Sequence, residues 1–249
     1  MSFIGKVVIV TGASSGIGAA TAVMFCREGA SVALVGRNED KLKNISQQCT
    51  KAGGKHIVIK ADVADDDDAK RVVSQTVGDF GQLDVLVNNA GLGVYGTILG
   101  GDILKAYDDV INVNLRAAIH LTSLAAPHLV KTKGNIVNIS SILGLRATIP
   151  RGLAYAISKA ALTHFTKGAA AELAPSGVRV NAVSPGPVVT DILVNSGSPA
   201  TWEQAAQTTA LKRVSEADEI ADLILYLASD KARGITGSDY LTDNGSLLK

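Results

Sequence analysis

Cysteine is almost absent from this chain: Cys26 and Cys49 are the only two in 249 residues, with neither Cys-x-x-Cys nor a metal-ligand spacing around them. A disulfide framework and a thiolate metal site are excluded, and both residues read as reduced thiols of a cytosolic protein. An excess of charge of one sign is lacking too. The formal net charge is +1, which gives nucleic acid and anionic membrane surfaces no complementary field, and no aromatic spacing offers base stacking. No apolar run approaches the about 20 residues that span a bilayer. The start, Met1 to Lys6, lacks the features of a signal peptide, and Ser246 to Lys249 carries no lipidation or address motif, so a cytoplasmic location is expected. With 47% hydrophobic and 19% charged residues, the chain can bury a core as a single domain over 1–249, and small-molecule chemistry is the class that remains.

What is present is a regular alternation. Lys6 to Thr11 is a β-branched apolar run, too continuous for a half-exposed strand and suited to one buried on both faces. A glycine turn and a helix over Ala19 to Glu28 follow, with Gly29 as the stop. The pattern predicts further strands at Ser31 to Val35, His56 to Lys60, Val85 to Asn88, Asn135 to Ile139, Val178 to Val183 and near Tyr240-Leu241. Between them it predicts helices over Asp40 to Ala52, Asp66 to Val77, Asp102 to about Val130, Leu153 to Ala174 and Ser215 to Ala228. The last of these opens on the capping box Ser215-Glu-Ala-Asp218. Ser184 to Val214 reads as a long, mostly irregular loop. Seven strands alternating with helices point to an α/β fold, a doubly wound parallel sheet with right-handed crossovers.

The first strand-to-helix turn, Thr11-Gly-Ala-Ser-Ser-Gly-Ile-Gly18, is where an anion would dock. Glycines at 12, 16 and 18 permit positive φ and close backbone approach, and the helix start offers unpaired N–H groups that suit a pyrophosphate. The spacing Gly-x-x-x-Gly-x-Gly is not the usual dinucleotide fingerprint. The same residues satisfy Gly-x-Ser-x-Gly through Ser14, the nucleophile elbow of α/β serine hydrolases. That chemistry needs a late histidine, and His56, His120, His128 and His164 all stand too early; no His-Gly-Gly segment exists. At the end of the second strand, where an acid would bond a ribose 2′-OH, the chain reads Gly36-Arg37. An arginine suits a 2′-phosphate, so NADP(H) is favoured with NAD(H) as the alternative.

Tyr155-Ala-Ile-Ser-Lys159 places a phenol and an ammonium one helical turn apart on a single face. A nearby cation favours the charged phenolate, and such a tyrosine can act as general acid or base.

Taken in order, the glycine loop, Asn88-Asn-Ala-Gly91, Asn114, Ser141, Tyr155-x-x-x-Lys159 and Pro185-Gly186 make the chain resemble the short-chain dehydrogenase/reductase family over nearly its whole length. The resemblance implies a Rossmann-type fold and an oxidoreductase that interconverts a carbonyl and a secondary alcohol. It implies Tyr155 as general acid/base, Lys159 lowering its pKa and bonding the nicotinamide ribose, Ser141 holding the substrate oxygen, and Asn114 anchoring a water that links Lys159 to solvent. It implies cofactor contacts from Gly12, Ser14, Ser15, Gly16, Ile17 and Gly18, from Asp62 and Val63 at the adenine, and from Asn88, Ala90 and Gly91 at the riboses. Pro185, Gly186, Val188 and Thr190 would hold the carboxamide. A homotetramer, with a homodimer as the alternative, is expected.

Three departures from the family pattern stand out. The Ser141-to-Tyr155 interval is one residue longer than usual, which makes Ser140 a competitor to Ser141. Ser15 stands where NADP-dependent members often carry a basic residue, leaving the preference to Arg37. Asp243-Asn-Gly245 replaces Asp-Gly-Gly. A substrate pocket is expected from Gly93 to Tyr95, Leu143 to Arg151 and the 187–213 loop, with Gly186 and Gly197 as hinges. Leu143, Leu145, Ile149, Val189, Leu193 and Trp202 make it apolar, while Arg146 and Arg151 are candidates for a substrate anion. A lipophilic ketone or alcohol, of steroid, isoprenoid, retinoid or 3-oxoacyl type, follows. A catalytically silent NADP-binding sensor or scaffold is the rival reading.

Overall fold

Alternate residues of each central strand face opposite ways, and that period-2 pattern builds two cores on one sheet. In a computed structural model describing residues 2–146, 152–196 and 200–249, Val8, Val10, Val32, Leu34, Val85 and Val87 line one face. Val7, Ile9, Ala33, Val35, Leu86 and Ile136 line the other. β1 (Val7–Thr11) and the later strands β4 (Val85–Asn88) and β5 (Asn135–Ile139) are buried along their whole length, which is why their sequences show no polar alternation.

In chain order the elements are β1, α1 (Gly16–Arg27), β2 (Ser31–Gly36), α2 (Glu39–Lys51), β3 (Lys55–Lys60), α3 (Asp66–Phe80) and β4 (Val85–Asn88). Then come α4 (Ile103–Ile111), α5 (Ala117–Thr132), β5 (Asn135–Ile139), α6 (Leu153–Leu173) and β6 (Arg179–Pro185). The short α7 (Ile192–Asn195) and α8 (Trp202–Gln207), then α9 (Ala217–Ala228) and β7 (Asp239–Thr242), complete the fold. The sheet has seven strands in the order β3-β2-β1-β4-β5-β6-β7, every pairing parallel. Helices α1, α2 and α9 cover the first core; α3, α5 and α6 cover the second. Strand order reverses between β1 and β4, and the crevice at their carboxyl ends is where a doubly wound sheet binds its ligand.

Local chemistry sets the helix ends. The Asp65 carboxylate accepts from the Asp67 and Asp68 N–H groups at 3.0 and 2.9 Å, starting α3, and Gly81 at φ 83° ends it.

Three expectations are corrected. The helix expected over Asp102 to Val130 is two helices joined by a π turn, Asn112–Arg116, in which the Ala117 N–H reaches back to the Asn112 carbonyl. The expected capping box Ser215–Asp218 is displaced by one residue: Glu216 caps α9 reciprocally with Glu219. Ser215 is held instead in a parallel bridge to Val188. The expected irregular loop 184–214 contains α7 and α8, the latter opened by a Thr201/Gln204 capping box readable in Thr-Trp-Glu-Gln.

Candidate active site

Backbone contacts form the first half of the site. Gly12 and Gly16 sit at φ 66° and 53°, where a side chain strains the chain. A Cβ on Gly18 would lie 2.3 Å from the Gly12 carbonyl oxygen, and one on Gly16 would lie 2.8 Å from Thr190 Cγ2. The loop is stitched to β4: Thr11 Oγ1 accepts from the Asn89 and Ala90 N–H groups at 3.0 Å each, and Asn89 Nδ2 donates to the Thr11 carbonyl at 2.9 Å. Ser15 is the N-cap of α1 and makes no side-chain cap bond, which leaves the first-turn N–H groups without an intrahelical partner. Tight glycines and free donors at a helix start fit a dinucleotide pyrophosphate. Ile17 packs against the first core.

Arg37 is exposed, 3.8 Å from Asp62 Oδ2. A Cβ on Gly36 would lie 3.5 Å from Ser14 Oγ, so Ser14, Gly36, Arg37 and Asp62 border one space. Glu39, which could have weakened the Arg37 field, is paired with Lys43 at 3.2 Å and Lys60 at 3.6 Å. Asp62 does not cap α3, which Asp65 does; its Oδ1 accepts from Ala64 N–H at 3.1 Å, beside the buried Val63.

The second half is made of buried polar side chains. Lys159 is 4% exposed; its Nζ donates to the Ile139 carbonyl at 2.7 Å and lies 5.5 Å from the centroid of the Tyr155 ring. Ser141 hydrogen-bonds Tyr155 and accepts from Leu143 N–H at 3.2 Å. Ser140 faces away from the cleft: its hydroxyl donates to the Lys159 carbonyl at 2.9 Å and pairs with Thr163 at 2.7 Å. That engagement leaves Ser141 as the serine beside the phenol. The turn carrying it meets α6 so closely that a Cβ on Gly144 would lie 2.7 Å from Ala160 N.

Burial adds an influence on both titrating groups that helical spacing alone does not show. Burial pushes the Tyr155 phenol up to about 12, with the Ser141 hydrogen bond pulling the other way, and brings the Lys159 ammonium down to about 8. Desolvation is the largest influence on each group.

Two expected site residues are engaged structurally. The Asn114 amide, 1% exposed in the π turn, accepts from Leu92 N–H at 2.8 Å and donates to the Leu92 carbonyl at 3.0 Å and Ser158 Oγ at 3.1 Å. It pins the segment after Gly91 against α6: a Cβ on Gly91 would lie 3.3 Å from Asn114 Oδ1 and 3.5 Å from Lys159 Nζ. Asn88 donates to Asn138 Oδ1 at 2.9 Å and Thr122 Oγ1 at 3.2 Å, a link between strands and helices rather than a cleft contact of its side chain. Ala90 beside it is half-buried.

On the far wall, Gly186 N–H donates to the Thr242 carbonyl at 3.0 Å, Pro185 closes β6, and Val188 is buried beside Ser215. Thr190 thereby meets the glycine loop at Gly16. Sequence reasoning missed two tethers here. Lys41 Nζ and Asp191 Oδ2 pair at 2.5 Å, joining α2 to the start of the substrate loop. Asn244, at φ 51°, accepts from Arg213 at 2.8 Å, donates to Ser215 Oγ at 2.9 Å, and takes the Leu211 N–H on its carbonyl at 3.1 Å. The departure at position 244 thus has a physical reading: asparagine tolerates the left-handed backbone that glycine would adopt and adds a clasp on the loop.

In the expected pocket, Leu143, Val189 and Trp202 are half-buried and Leu145 is exposed. Arg146 donates to the Lys249 carbonyl at 2.8 Å, so that cation is engaged by the C-terminal segment. Ile149, Arg151 and Gly197, and the side chain of Leu193, lie outside the described residues. Among the described residues no group of three metal-ligating side chains occurs, and no helix is long and apolar enough to cross a membrane.

Comparison with known proteins agrees with this geometry. A family model described as enoyl-(acyl carrier protein) reductase matches residues 12–246. The chain is 37% identical over 245 residues to the 3-oxoacyl-[acyl-carrier-protein] reductase FabG of Thermotoga maritima, covering 98% of each. It is 38% identical over 251 residues to the glucose 1-dehydrogenase of Gluconobacter oxydans, covering 99% of this chain and 93% of that one. A short-chain dehydrogenase of Burkholderia cenocepacia solved in complex with NADP superposes with a TM-score of 0.92 at 34% identity, over 99% of this chain and 100% of that one.

Proposed function

The chain belongs to the short-chain dehydrogenase/reductase family of oxidoreductases, and from that premise we propose that it is an NADP(H)-preferring carbonyl reductase acting on a lipophilic ketone or secondary alcohol of steroid, isoprenoid, retinoid or 3-oxoacyl type. The observation that carries the reading is the contact of Ser141 with Tyr155 beside a buried, hydrogen-bonded Lys159. When bound, the nicotinamide supplies hydride to a carbonyl carbon. The carbonyl oxygen gathers negative charge as this happens; Ser141 donates a hydrogen bond to it and Tyr155 gives up its hydroxyl proton to complete the alcohol.

The phenol holds its proton at neutral pH, so it stands ready as the acid. The Lys159 ammonium holds its proton below about pH 8 and stabilises the tyrosinate that forms. As pH rises through 8 the cation is lost, and reduction slows.

Arg37 supports NADP(H), because its acidic neighbour Glu39 is neutralised locally and Ser14 stands beside Gly36 where a 2′-phosphate would lie. The relatives include both a fatty-acyl and a glucose enzyme, so substrate class rests on this chain's own lining. Leu143, Leu145, Val189 and Trp202 are apolar and Arg146 is engaged elsewhere, which supports a lipophilic substrate. Exposed Leu104, Tyr107, Ile119 and Ile157 on α4, α5 and α6 support a homotetramer; a monomeric mass by light scattering would remove that part.

The test is nicotinamide oxidation followed across a panel from lipophilic ketones to free sugars. The expected result is faster turnover with NADPH than NADH and with the lipophilic members, the cofactor preference shrinking in Arg37→Gln. Turnover confined to sugars or to NADH would overturn the substrate or cofactor part, and no turnover with any pair would favour a silent sensor.

A further inference from the structure

Three consecutive residues at the carboxyl end of β5 each hold a different atom of α6. The Ile139 carbonyl accepts from Lys159 Nζ at 2.7 Å, the Ser140 hydroxyl donates to the Lys159 carbonyl at 2.9 Å, and Ser141 hydrogen-bonds Tyr155. The first and third contacts belong to the proposed reaction. The middle one does not: Ser140 is 3% exposed and faces away from the cleft.

The Ser140 bonds run in one sense. A carbonyl only accepts, so the single hydroxyl hydrogen of Ser140 goes to Lys159, and Thr163 is the donor in the 2.7 Å pair between the two hydroxyls. Residues 159, 163 and 166 share one face of α6, and residues 138 and 140 share one face of β5. Along that seam Asn138 Nδ2 donates to Thr166 Oγ1 at 2.9 Å. The strand side is anchored, because the Ser140 N–H donates to the Val183 carbonyl of β6 at 2.7 Å. The helix side lacks such an anchor at its start: Gly152, the N-cap of α6, makes no side-chain cap bond, and Tyr155 stands in the first turn. A slip of one residue would carry the phenol about 1.5 Å along the helix axis and turn it by about 100°, parting it from Ser141. The turn after Ser141 presses on the same point of α6, since a Cβ on Gly144 would lie 2.8 Å from the Lys159 carbonyl carbon.

We propose that Ser140 is a positioning residue for the reaction, setting the register of α6 on β5 at which Lys159 reaches the Ile139 carbonyl and Tyr155 reaches Ser141. The inference rests on the proposed roles of Tyr155 and Lys159. Ser140 acts through the Lys159 backbone, whereas the Asn138–Thr166 bond ties the same strand and helix without touching residue 159. Without the Ser140 bond the Lys159 backbone draws away from the strand end and its ammonium regains water.

Two variants of the full chain separate positioning from packing. Ser140→Ala removes the bond to Lys159 and frees the Thr163 hydroxyl to bond the Lys159 carbonyl four residues back in its own helix, so no buried hydroxyl is left alone. Thr166→Val removes a buried bond of the same kind and leaves Lys159 held. The first readout is NMR titration of 13C-labelled lysine, which needs no substrate. In Ser140→Ala the Lys159 signal should titrate about half a pH unit or more above its wild-type value, and in Thr166→Val at the wild-type value. The second is NADPH oxidation with a lipophilic ketone. In Ser140→Ala kcat should fall by roughly five-fold, the worth of one net hydrogen bond, with KM unmoved and the alkaline decline of the rate shifted to higher pH. Ser140→Cys, close in shape and only a weak donor, carries the same test if the alanine variant fails to fold. A wild-type Lys159 titration in Ser140→Ala, or an equal shift in Thr166→Val, would overturn the proposal. Failure of the underlying reading shows differently, as absence of turnover in the wild-type chain whatever the titration.

Discussion

The two halves of the catalytic cleft hold their ligands by opposite means. Around the glycine loop the protein presents backbone: positive-φ glycines, an uncapped helix start, and Thr11 and Asn89 tying β1 to β4, with Arg37 out in solvent. Around Tyr155 it presents side chains withdrawn from water, with Lys159 held by one carbonyl and both titrating groups displaced from their ordinary range. Where the cleft only grips, nothing costly is buried; where it reacts, a charge is kept in a place it would not choose. A group that must hand over a proton needs an unsettled environment, and the fold supplies it by burial rather than by local sequence.

Breaking the reactive half should have the largest effect. Tyr155→Phe removes the hydroxyl proposed to deliver the proton, and steady-state reduction should fall by about 10²–10⁴-fold with cofactor affinity little changed. Full activity would end the proposed mechanism. In the gripping half, Gly18→Ala forces a methyl to 2.3 Å from the Gly12 oxygen; thermal unfolding should show a loss of about 1–3 kcal/mol and calorimetry a loss of cofactor affinity. The contrast sharpens with Lys159→Met. A lysine whose folded pKa lies below its unfolded value weakens the fold at every pH below about 8, and this cost fades as pH rises toward 10.5. The variant should therefore be inactive yet more stable at pH 7 by about 1–2 kcal/mol, the lost Ile139 bond offsetting part of the gain, and the gain should vanish above pH 10.5. The smallest effect belongs to Asn244→Gly, which keeps the backbone conformation and removes only the clasp on Arg213 and Ser215: under 1 kcal/mol of stability, with KM for a bulky substrate rising and kcat unmoved.

The alternation of strands and helices was legible because each buried strand writes its own composition, and the glycine loop because its spacing is local. Tyr155 and Lys159 were legible for the same reason, one helical turn apart. Ser141 was preferred to Ser140 on the resemblance alone; the physical difference between them, the contact of Ser140 with Lys159 and Thr163, shows only in the structure. The π turn at Asn114, the Lys41–Asp191 pair and the Asn244 clasp were hidden because each depends on partners that are remote in the chain or on a register slip that leaves no compositional trace. Burial of the phenol was not legible either: helical spacing shows which charges are neighbours, not how much water they keep.

The most direct test of this division is the titration of Lys159 itself, by NMR of the protein carrying 13C-labelled lysine ε-methylenes, with Lys159→Met assigning the signal. The expected result is a Lys159 signal that titrates near pH 8. A Lys159 that titrates at the ordinary lysine value of about 10.4 would contradict the account, because the reactive half would then be as well solvated as the half that only grips.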